Sequence, residues 1–315
     1  MKRTALALFT LCTLFATSAC SFKVTRPLLR MIVSGSNRVS TDPAYADSLE
    51  KRLSVPYVTG GADAQVADIY YADRAVRRDA VLIDIHGGFY VAGKRENNRR
   101  FASVFLKEGY DVVLLEYRVN DGVTDVSDEL ADGAAALDYL AVNADGLGLN
   151  RDRMFLTGDS AGGHLALYLA EGAADTSLPV RPEVFKPRGV LLNCPAYDFA
   201  SFAEAGGFSR GALAWFIGPR YRERAWLESM SPRTFLGSLK VPLFVSTCRH
   251  DFIRGQALLI KSDCDSLGLG VEFLDIPSED RKVGHVHNVI KEDLPESREV
   301  NGRMLDFMNR NLQQR

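Results

Sequence analysis

A serine at the centre of a glycine-flanked turn is the first candidate for chemistry in this sequence. Residues 158–162 read GDSAG, which fits the pattern G-x-S-x-G with Ser160 at its centre. An apolar run ends at Thr157 and a helical pattern begins at Ala161, so the turn lies between a strand and a helix. Small neighbours permit a sharp backbone turn, and the helix N-terminus directs its N–H groups at developing negative charge. Ser160 is therefore predicted to be a nucleophile for acyl transfer.

A second glycine-containing loop supplies the expected partner of that nucleophile. Residues 86–88 read HGG and follow another apolar run. Glycines in this place let the backbone bring N–H groups to a carbonyl oxygen. We expect the N–H groups of Gly87, Gly88 and Ala161 to form an oxyanion hole, and His86 to fix the loop.

A nucleophilic serine needs a general base, and the chain has five histidines, one of them in the HGG loop. His164 lies one helical turn past the serine, where packing or hydrogen bonding is the expected role. His250 adjoins a carboxylate at a strand end and is expected to be a loop partner. His285 and His287 remain, after the last apolar run and before the final helical stretch. We prefer His285, which directly follows a glycine; His287 is the alternative, with lining of the pocket as its other role.

The acid that orients the base is expected between the serine and the histidine in the chain. Asp251 follows the apolar run 242–246 and fits that place. Asp275 is the competitor, but it falls within or at the end of the last apolar run, which is too late in the chain.

The elements that position these residues form a repeating plan of short apolar runs and helical stretches. Continuous apolar runs of this length are typical of strands covered on both faces, hence of a parallel sheet. Alternation with helices predicts an α/β fold with a doubly wound, mostly parallel sheet of about eight strands. The predicted strands are 65–71 (an outer strand), 80–85, 111–117, 153–157, 189–193, 242–246 and 271–276; the predicted helices are 97–107, 126–142, 161–171, 253–267 and 295–312.

Residues 21–315 are predicted to form one domain, because their number suits a single large core. About 48 aromatic-rich residues separate the strands that end at 193 and begin at 242, far more than a crossover needs. We therefore expect cap elements at about 196–240 and, from the weakly periodic start, at about 22–50. The alternative for the aromatic-rich segment is a longer crossover that packs onto the sheet.

The first twenty residues have the layout of an export signal. Two basic residues precede the apolar stretch 5–16, which is too short for a comfortable membrane-spanning helix. Ala19 and Cys20 resemble a lipobox, although Thr17 stands where leucine is usual. We expect an exported protein, either a periplasmic one cleaved near Ala19 or an outer-membrane or cell-surface lipoprotein attached through lipidated Cys20.

Composition and cysteine spacing limit which kinds of partner the chain is expected to bind. The formal net charge is −2 and there is no long basic run, so nothing favours nucleic acid. Outside the leader, Cys194, Cys248 and Cys264 are widely spaced and have no metal-ligand pattern, so we expect no metal site. A bridge between Cys194 and Cys248 is conceivable, and buried free thiols are favoured.

The two glycine motifs together resemble the α/β-hydrolase superfamily, and within it the hormone-sensitive-lipase-like and acetyl-esterase-like branch. The tracts 68–70 (DIY) and 116–118 (EYR) are similar to its flanking strands, and 285–289 (HVHNV) is similar to its catalytic histidine region. The likeness covers about residues 55–312.

Two positions depart from that branch's pattern. Phe89 replaces the third glycine of HGGG, a variant that narrows the acyl pocket. His287 stands where an aromatic residue is usual, which leaves the choice of histidine open.

The resemblance implies a serine hydrolase of short-acyl carboxylic esters that uses no cofactor and takes a small-molecule ester. An amidase- or formamidase-type hydrolase would use the same triad. A non-catalytic binding protein on this fold is the third possibility, and the complete set of catalytic residue types argues against it.

Overall fold

The computed structural model describes residues 44–204, 213 and 215–313. Its strands are β1 (Lys51–Pro56), β2 (Val66–Tyr70), β3 (Val81–Ile85), β4 (Asp111–Leu115), β5 (Met154–Asp159), β6 (Val190–Asn193), β7 (Leu243–Cys248) and β8 (Val271–Ile276). Its α-helices are α1 (Arg99–Lys107), α2 (Val126–Val142), α3 (Ala144–Leu147), α4 (Ala161–Gly172), α5 (Phe199–Glu204), α6 (Arg224–Ser229), α7 (Arg254–Leu267), α8 (His287–Ile290) and α9 (Pro295–Gln313). Short 3-10 helices lie at Tyr45–Ser48, Arg95–Asn98, Arg151–Arg153, Pro232–Thr234 and Leu236–Ser238.

The predicted export signal with Cys20, and most of the first predicted cap segment, lie outside the described residues and stay predictions. None of the helices in the described ranges has the length and apolar character that crossing a membrane requires.

The eight strands form one sheet in the order β1-β2-β4-β3-β5-β6-β7-β8. The pairs β1–β2 and β2–β4 are antiparallel, and every other neighbouring pair is parallel. The prediction of a doubly wound, mostly parallel α/β sheet is confirmed.

The antiparallel edge differs from the sequence-based expectation. The run 65–71 was predicted as the outer strand, but β1 lies outside it and pairs with it from Lys51 to Pro56. No strand was predicted there because the segment reads KRLSVP and its side chains are exposed or half-buried. A solvated edge strand has no continuous apolar run to detect.

The core lies on both faces of the sheet. In β3, Val81 and Ile83 pack with Leu137 of α2 and Leu165 of α4 on one face. Leu82, pointing the opposite way, packs on the other face with α1 and α9. Such two-sided burial is why β3 and β4 are buried along their whole length.

The second predicted cap segment, 196–240, is described in part. It holds α5, α6 and two 3-10 helices between β6 and β7. Phe199 and Trp226 are buried within it. Phe199 lies against the ring of His164, with centroids 4.5 Å apart. Whether the segment acts as a cap stays a prediction.

Close backbone packing at the start of α4 makes Gly162 a sensitive position. A Cβ atom there would lie 1.9 Å from the carbonyl oxygen of Ile85, which is main chain and cannot rotate away. We expect Gly162→Ala to lower the free energy of unfolding by about 3 kcal/mol or more. Gly302, inside α9 with open space at its Cβ, is the matched control. Gly302→Ala should raise stability by about 0.5–1 kcal/mol in urea unfolding. Equal effects of the two substitutions would contradict this packing.

Candidate active site

Ser160 lies on a strained turn between β5 and α4. Its backbone has φ 54° and ψ −117°, a conformation that a non-glycine residue rarely adopts. The turn is held because the Ser160 N–H donates to the Asn193 carbonyl (2.9 Å) and the Ser160 carbonyl accepts from Ala196 N–H (3.0 Å). A Cβ on Gly158 would lie 2.3 Å from the Gly162 carbonyl oxygen, so the turn needs glycine at 158. The serine is thereby presented at the carboxyl edge of the sheet, as the G-x-S-x-G pattern predicts.

Three of the predicted residues meet at this edge. The Nε2 atom of His285 lies 2.9 Å from Ser160 Oγ. The Nδ1 atom of the same ring lies 2.6 Å from Asp251 Oδ1. With Nδ1–H donating to the carboxylate, Nε2 is the acceptor for the serine hydroxyl. The arrangement provides a hydroxyl, a base aimed at its proton and a carboxylate that fixes the base.

Asp251 is held as a carboxylate. Besides His285, its oxygens accept from the Thr247 hydroxyl (2.9 Å) and from the Ile253 N–H (3.0 Å). Burial alone would raise the pKa of Asp251, but the bonds and charge of His285 outweigh burial and lower that pKa overall. The competitor Asp275 is engaged elsewhere, in an ion pair with Arg254.

The loop before α8 orients His285. Val286 has a left-handed backbone (φ 49°), and its N–H donates to Cys194 Sγ at 3.3 Å. Gly284 pairs in a parallel bridge with His250, which makes His250 the loop partner that the sequence suggested. The ring of Phe252 lies 4.3 Å from the ring of His285 and covers one of its faces.

The alternative base is placed away from the serine. His287 is buried, and its Nδ1 atom lies 2.9 Å from Ser297 Oγ of α9. Burial lowers the pKa of His287 to about 4, so its ring is neutral in the folded chain. His164 is likewise buried, bonded through Nε2 to the Met230 carbonyl (2.8 Å), with its pKa lowered by burial to about 3.

The HGG loop at residues 86–88, called the oxyanion loop below, differs from the prediction at one position. The N–H of Gly87 already donates to Asp159 Oδ1 (3.1 Å), so it is not available to a substrate. A Cβ atom on Gly87 would clash with the backbone of Asp159, in the turn that carries Ser160. The N–H groups of Gly88 and Ala161 have no acceptor among the described residues. The expected three-donor hole is thus reduced to Gly88 and Ala161.

Sequence reasoning missed the side chains beneath this loop. The Asn98 amide donates to Asp159 Oδ1 (2.9 Å) and to Asp84 Oδ2 (2.8 Å), and all three side chains are buried. Burial and the charge of Asp159 raise the pKa of Asp84 to about 8. An aspartate inside an apolar strand (Asp84) was the one signal that could have pointed to this cluster.

An aromatic wall stands beside the ring of His285. Phe89 stacks on Phe252 with ring centroids 5.6 Å apart, and it lies 5.0 Å from the ring of Phe216. Phe252 is 61% exposed, so the wall is open to solvent on its outer side. Such a surface suits an apolar group of a substrate.

The three cysteines of the described chain are free and buried. Cys194 offers its sulfur within 4.8 Å of the Asp251 and His285 donor atoms, a grouping that could in principle hold a metal ion. The aspartate and histidine are bonded to each other, however, and the hydrogen bond that the Cys194 thiol donates to Cys248, together with burial, raises the pKa of Cys194. A protonated thiol is a poor metal ligand.

The chain is similar in sequence to known proteins. The family model described as BD-FAE matches residues 67–254. An ethyl acetate hydrolase of Pseudomonas putida is 25% identical over 230 residues, which cover 68% of this chain and 69% of that protein. The carboxylesterase NlhH of Mycobacterium tuberculosis is 29% identical over 192 residues, 58% of each chain.

Two solved structures share the fold. A tributyrin-phosphonate-inhibited esterase B of Lactobacillus rhamnosis superposes with a TM-score of 0.81 at 22% identity, over 94% of this chain and 96% of that one. A bacterial heroin esterase superposes with a TM-score of 0.72 at 21% identity, over 100% and 98% of the two chains.

The buried neutral His287 predicts acid sensitivity. Its pKa is about 4 in the folded chain and about 6.5 when unfolded, so the unfolded chain binds the proton more tightly. Stability should therefore fall as the pH drops from about 6.5 toward 4, by up to about 3 kcal/mol from this residue. His287→Asn keeps a donor for Ser297 but cannot be protonated, so urea unfolding against pH should show a shallower acid slope. An unchanged slope would contradict the assignment.

Proposed function

The chain belongs to the BD-FAE family and is a carboxylic ester hydrolase, and on that basis we propose that it cleaves short-acyl esters through a Ser160–His285–Asp251 triad and an acyl-enzyme intermediate. The resemblance to esterases of the hormone-sensitive-lipase-like and acetyl-esterase-like branch is confirmed. The observation that carries the proposed triad is the unbroken hydrogen-bonded chain from the Ser160 hydroxyl through His285 to Asp251.

In the proposed reaction, Ser160 Oγ attacks the ester carbonyl carbon while His285 Nε2 accepts the hydroxyl proton. The carboxylate of Asp251 stabilises the imidazolium that forms. His285 then returns the proton to the leaving alcohol as the carbon–oxygen bond breaks. A water molecule attacks the acyl-enzyme with the same base, which releases the acid and restores the serine.

The developing oxyanion is stabilised by the N–H groups of Gly88 and Ala161. Ala161 is the first residue of the twelve-residue helix α4, so the positive end of the helix dipole adds to its N–H group. Each such donor contributes a factor of about 10²–10³ in kcat in comparable sites.

The aromatic wall supports the short-acyl part of the proposal. Phe89 occupies the place of a third glycine and is packed between Phe216 and Phe252, and the Phe252 ring lies against His285. We expect these rings to restrict the space for an acyl chain. Two similar proteins carry names in keeping with short acyl groups, the ethyl acetate hydrolase and the esterase inhibited by a tributyrin phosphonate.

The acid of the triad is tested by two matched substitutions. Asp251→Asn should lower kcat on p-nitrophenyl butyrate by about 10³–10⁴-fold, because the histidine loses its orientation and its counter-charge. Asp275→Asn, which removes an equivalent carboxylate from the Arg254 ion pair, should change kcat by less than about threefold. Labelling of wild type by an organophosphonate should be absent in Ser160→Ala. If Asp251→Asn stays as active as Asp275→Asn, the proposed triad is wrong.

The acyl limit is tested with p-nitrophenyl acetate, butyrate, octanoate and decanoate. We expect kcat/KM to be highest for acetate or butyrate and to fall steeply at eight carbons. Phe89→Ala should raise kcat/KM for octanoate relative to acetate by about tenfold, since the pocket widens by a ring. Leu53→Ala, at an exposed leucine of β1, is the control and should leave the ratio unchanged. A wild-type preference for long chains would refute the short-acyl assignment.

A further inference from the structure

We propose that His86 is a positioning residue that stays doubly protonated during catalysis and fixes the peptide group whose N–H, that of Gly88, binds the oxyanion. The inference rests on the proposed esterase function. It assigns a charge state and a mechanical role to a histidine that takes no proton from the substrate.

Both ring nitrogens of His86 face oxygen acceptors. Nδ1 lies 2.8 Å from the Gly87 carbonyl oxygen, and Nε2 lies 3.4 Å from Glu116 Oε1. A neutral imidazole carries one N–H and one lone pair, so either tautomer would direct a lone pair at an oxygen. Only the imidazolium donates at both nitrogens. The ring is 1% exposed, so water cannot relieve the mismatch.

The surrounding charges suit a buried cation. Glu116 faces Nε2 from the end of β4 and is also bonded by Arg95 (3.2 Å), which in turn pairs with Asp68 (3.0 Å). These four groups, His86 included, carry two positive and two negative charges when all are ionised. Burial alone would lower the pKa of His86, but the hydrogen bond and charge of Glu116 reverse this and raise it.

The remaining ionisable groups near His86 come from two other strands. Asp159, at the end of β5, interacts electrostatically with the ring and favours its charged form. Asp84, in β3, would do so only when it is ionised. On the other side the ring stacks on Tyr117, with centroids 4.4 Å apart.

The two peptide groups of the loop are held in different ways. In a trans peptide the C=O and N–H point in opposite directions, so a bond to one fixes the other. The peptide between His86 and Gly87 is bonded at both ends, by the Tyr117 hydroxyl at its oxygen (2.6 Å) and by Asp159 at its N–H (3.1 Å). The next peptide is bonded only at its oxygen, by His86 Nδ1–H. Its free end is the N–H of Gly88.

Room for this contact depends on a glycine. Gly93 has φ +107°, and a Cβ there would lie 2.5 Å from His86 Nδ1. The chain therefore passes close to the ring on the side where the Gly87 carbonyl is bound. The His86 ring is enclosed by Gly93, Tyr117 and Glu116, an enclosure that favours the orientation in which Nδ1 faces the Gly87 carbonyl and Nε2 faces the Glu116 carboxylate.

The charge state is measured directly by ¹⁵N NMR of the full chain labelled at histidine. At pH 7.5 we expect the resonance lost in His86→Asn to show two protonated ring nitrogens, whereas buried His164 and His287 show one. Glu116→Gln can donate to Nε2, so the same ring should become neutral there. One protonated nitrogen on wild-type His86 at pH 7.5 would overturn the assigned charge.

The mechanical role is measured by kinetics. His86→Leu removes the Nδ1–H donor and should lower kcat about 10²-fold with KM changed less than threefold, because the lost contact acts on the transition state. His86→Asn offers an amide N–H near the Nδ1 position and should recover most of that loss. Labelling of Ser160 by an organophosphonate, whose oxygen occupies the same hole, should slow and recover in parallel.

Two results would count against the mechanical role. One is wild-type kcat in His86→Leu, and the other is a folded His86→Asn as slow as His86→Leu. Failure of the esterase proposal would look different. Wild type would then neither turn over esters nor label at Ser160, while the NMR result would still report the charge on His86.

Discussion

The strained turn at Ser160, with its positive φ, is the constraint on which the rest of the site depends. A serine at φ 54° is held only because neighbouring backbone closes around it, from Asn193 and Ala196 on one side and the HGG loop on the other. Glycines at 158 and 162 permit main-chain contacts that any Cβ would prevent. The strain is thus balanced by packing at the centre of the sheet, and the result is a hydroxyl that projects beyond the strand ends. Because β3 and β5 are neighbours in parallel register, the oxyanion loop arrives at the same edge.

Much of this arrangement could be predicted from the sequence because it depends on local pattern. The predicted bounds of the helix 126–142 and the strand 271–276 are those that the structure shows, since the helix has a periodic apolar pattern and the strand is a short apolar-rich segment with clear ends. Strand β1 was missed, because an exposed edge strand that reads KRLSVP has no such run. The glycine motifs were found because their function requires small residues at fixed spacing.

Contacts between distant segments could not be predicted in this way. Asp159 accepts from Gly87, 72 positions away, and from Asn98, 61 positions away, and no spacing rule links them. The engagement of Gly87 follows from strand order, which brings β3 and β5 together. Similarly, the choice between His285 and His287 depends on the left-handed backbone of Val286 between them. His285 faces Ser160, whereas His287 faces Ser297 of α9.

The charges beneath the loop explain how an acid-rich site can stabilise an anion. Two full negative charges on Asp84 and Asp159 would oppose the oxyanion formed beside them. With the pKa of Asp84 raised to about 8, the pair holds one proton at neutral pH and carries about one negative charge. That single charge lies near His86, and Asp159 Oδ1 accepts hydrogen bonds from the Gly87 N–H and the Asn98 amide. Asp84 Oδ1 has no partner in the described chain, which a neutral carboxyl tolerates better than a carboxylate. The substrate oxygen thus meets oriented N–H dipoles, and the one negative charge beneath them lies near His86. A second ionised aspartate there would cancel part of the stabilisation that those dipoles give the oxyanion.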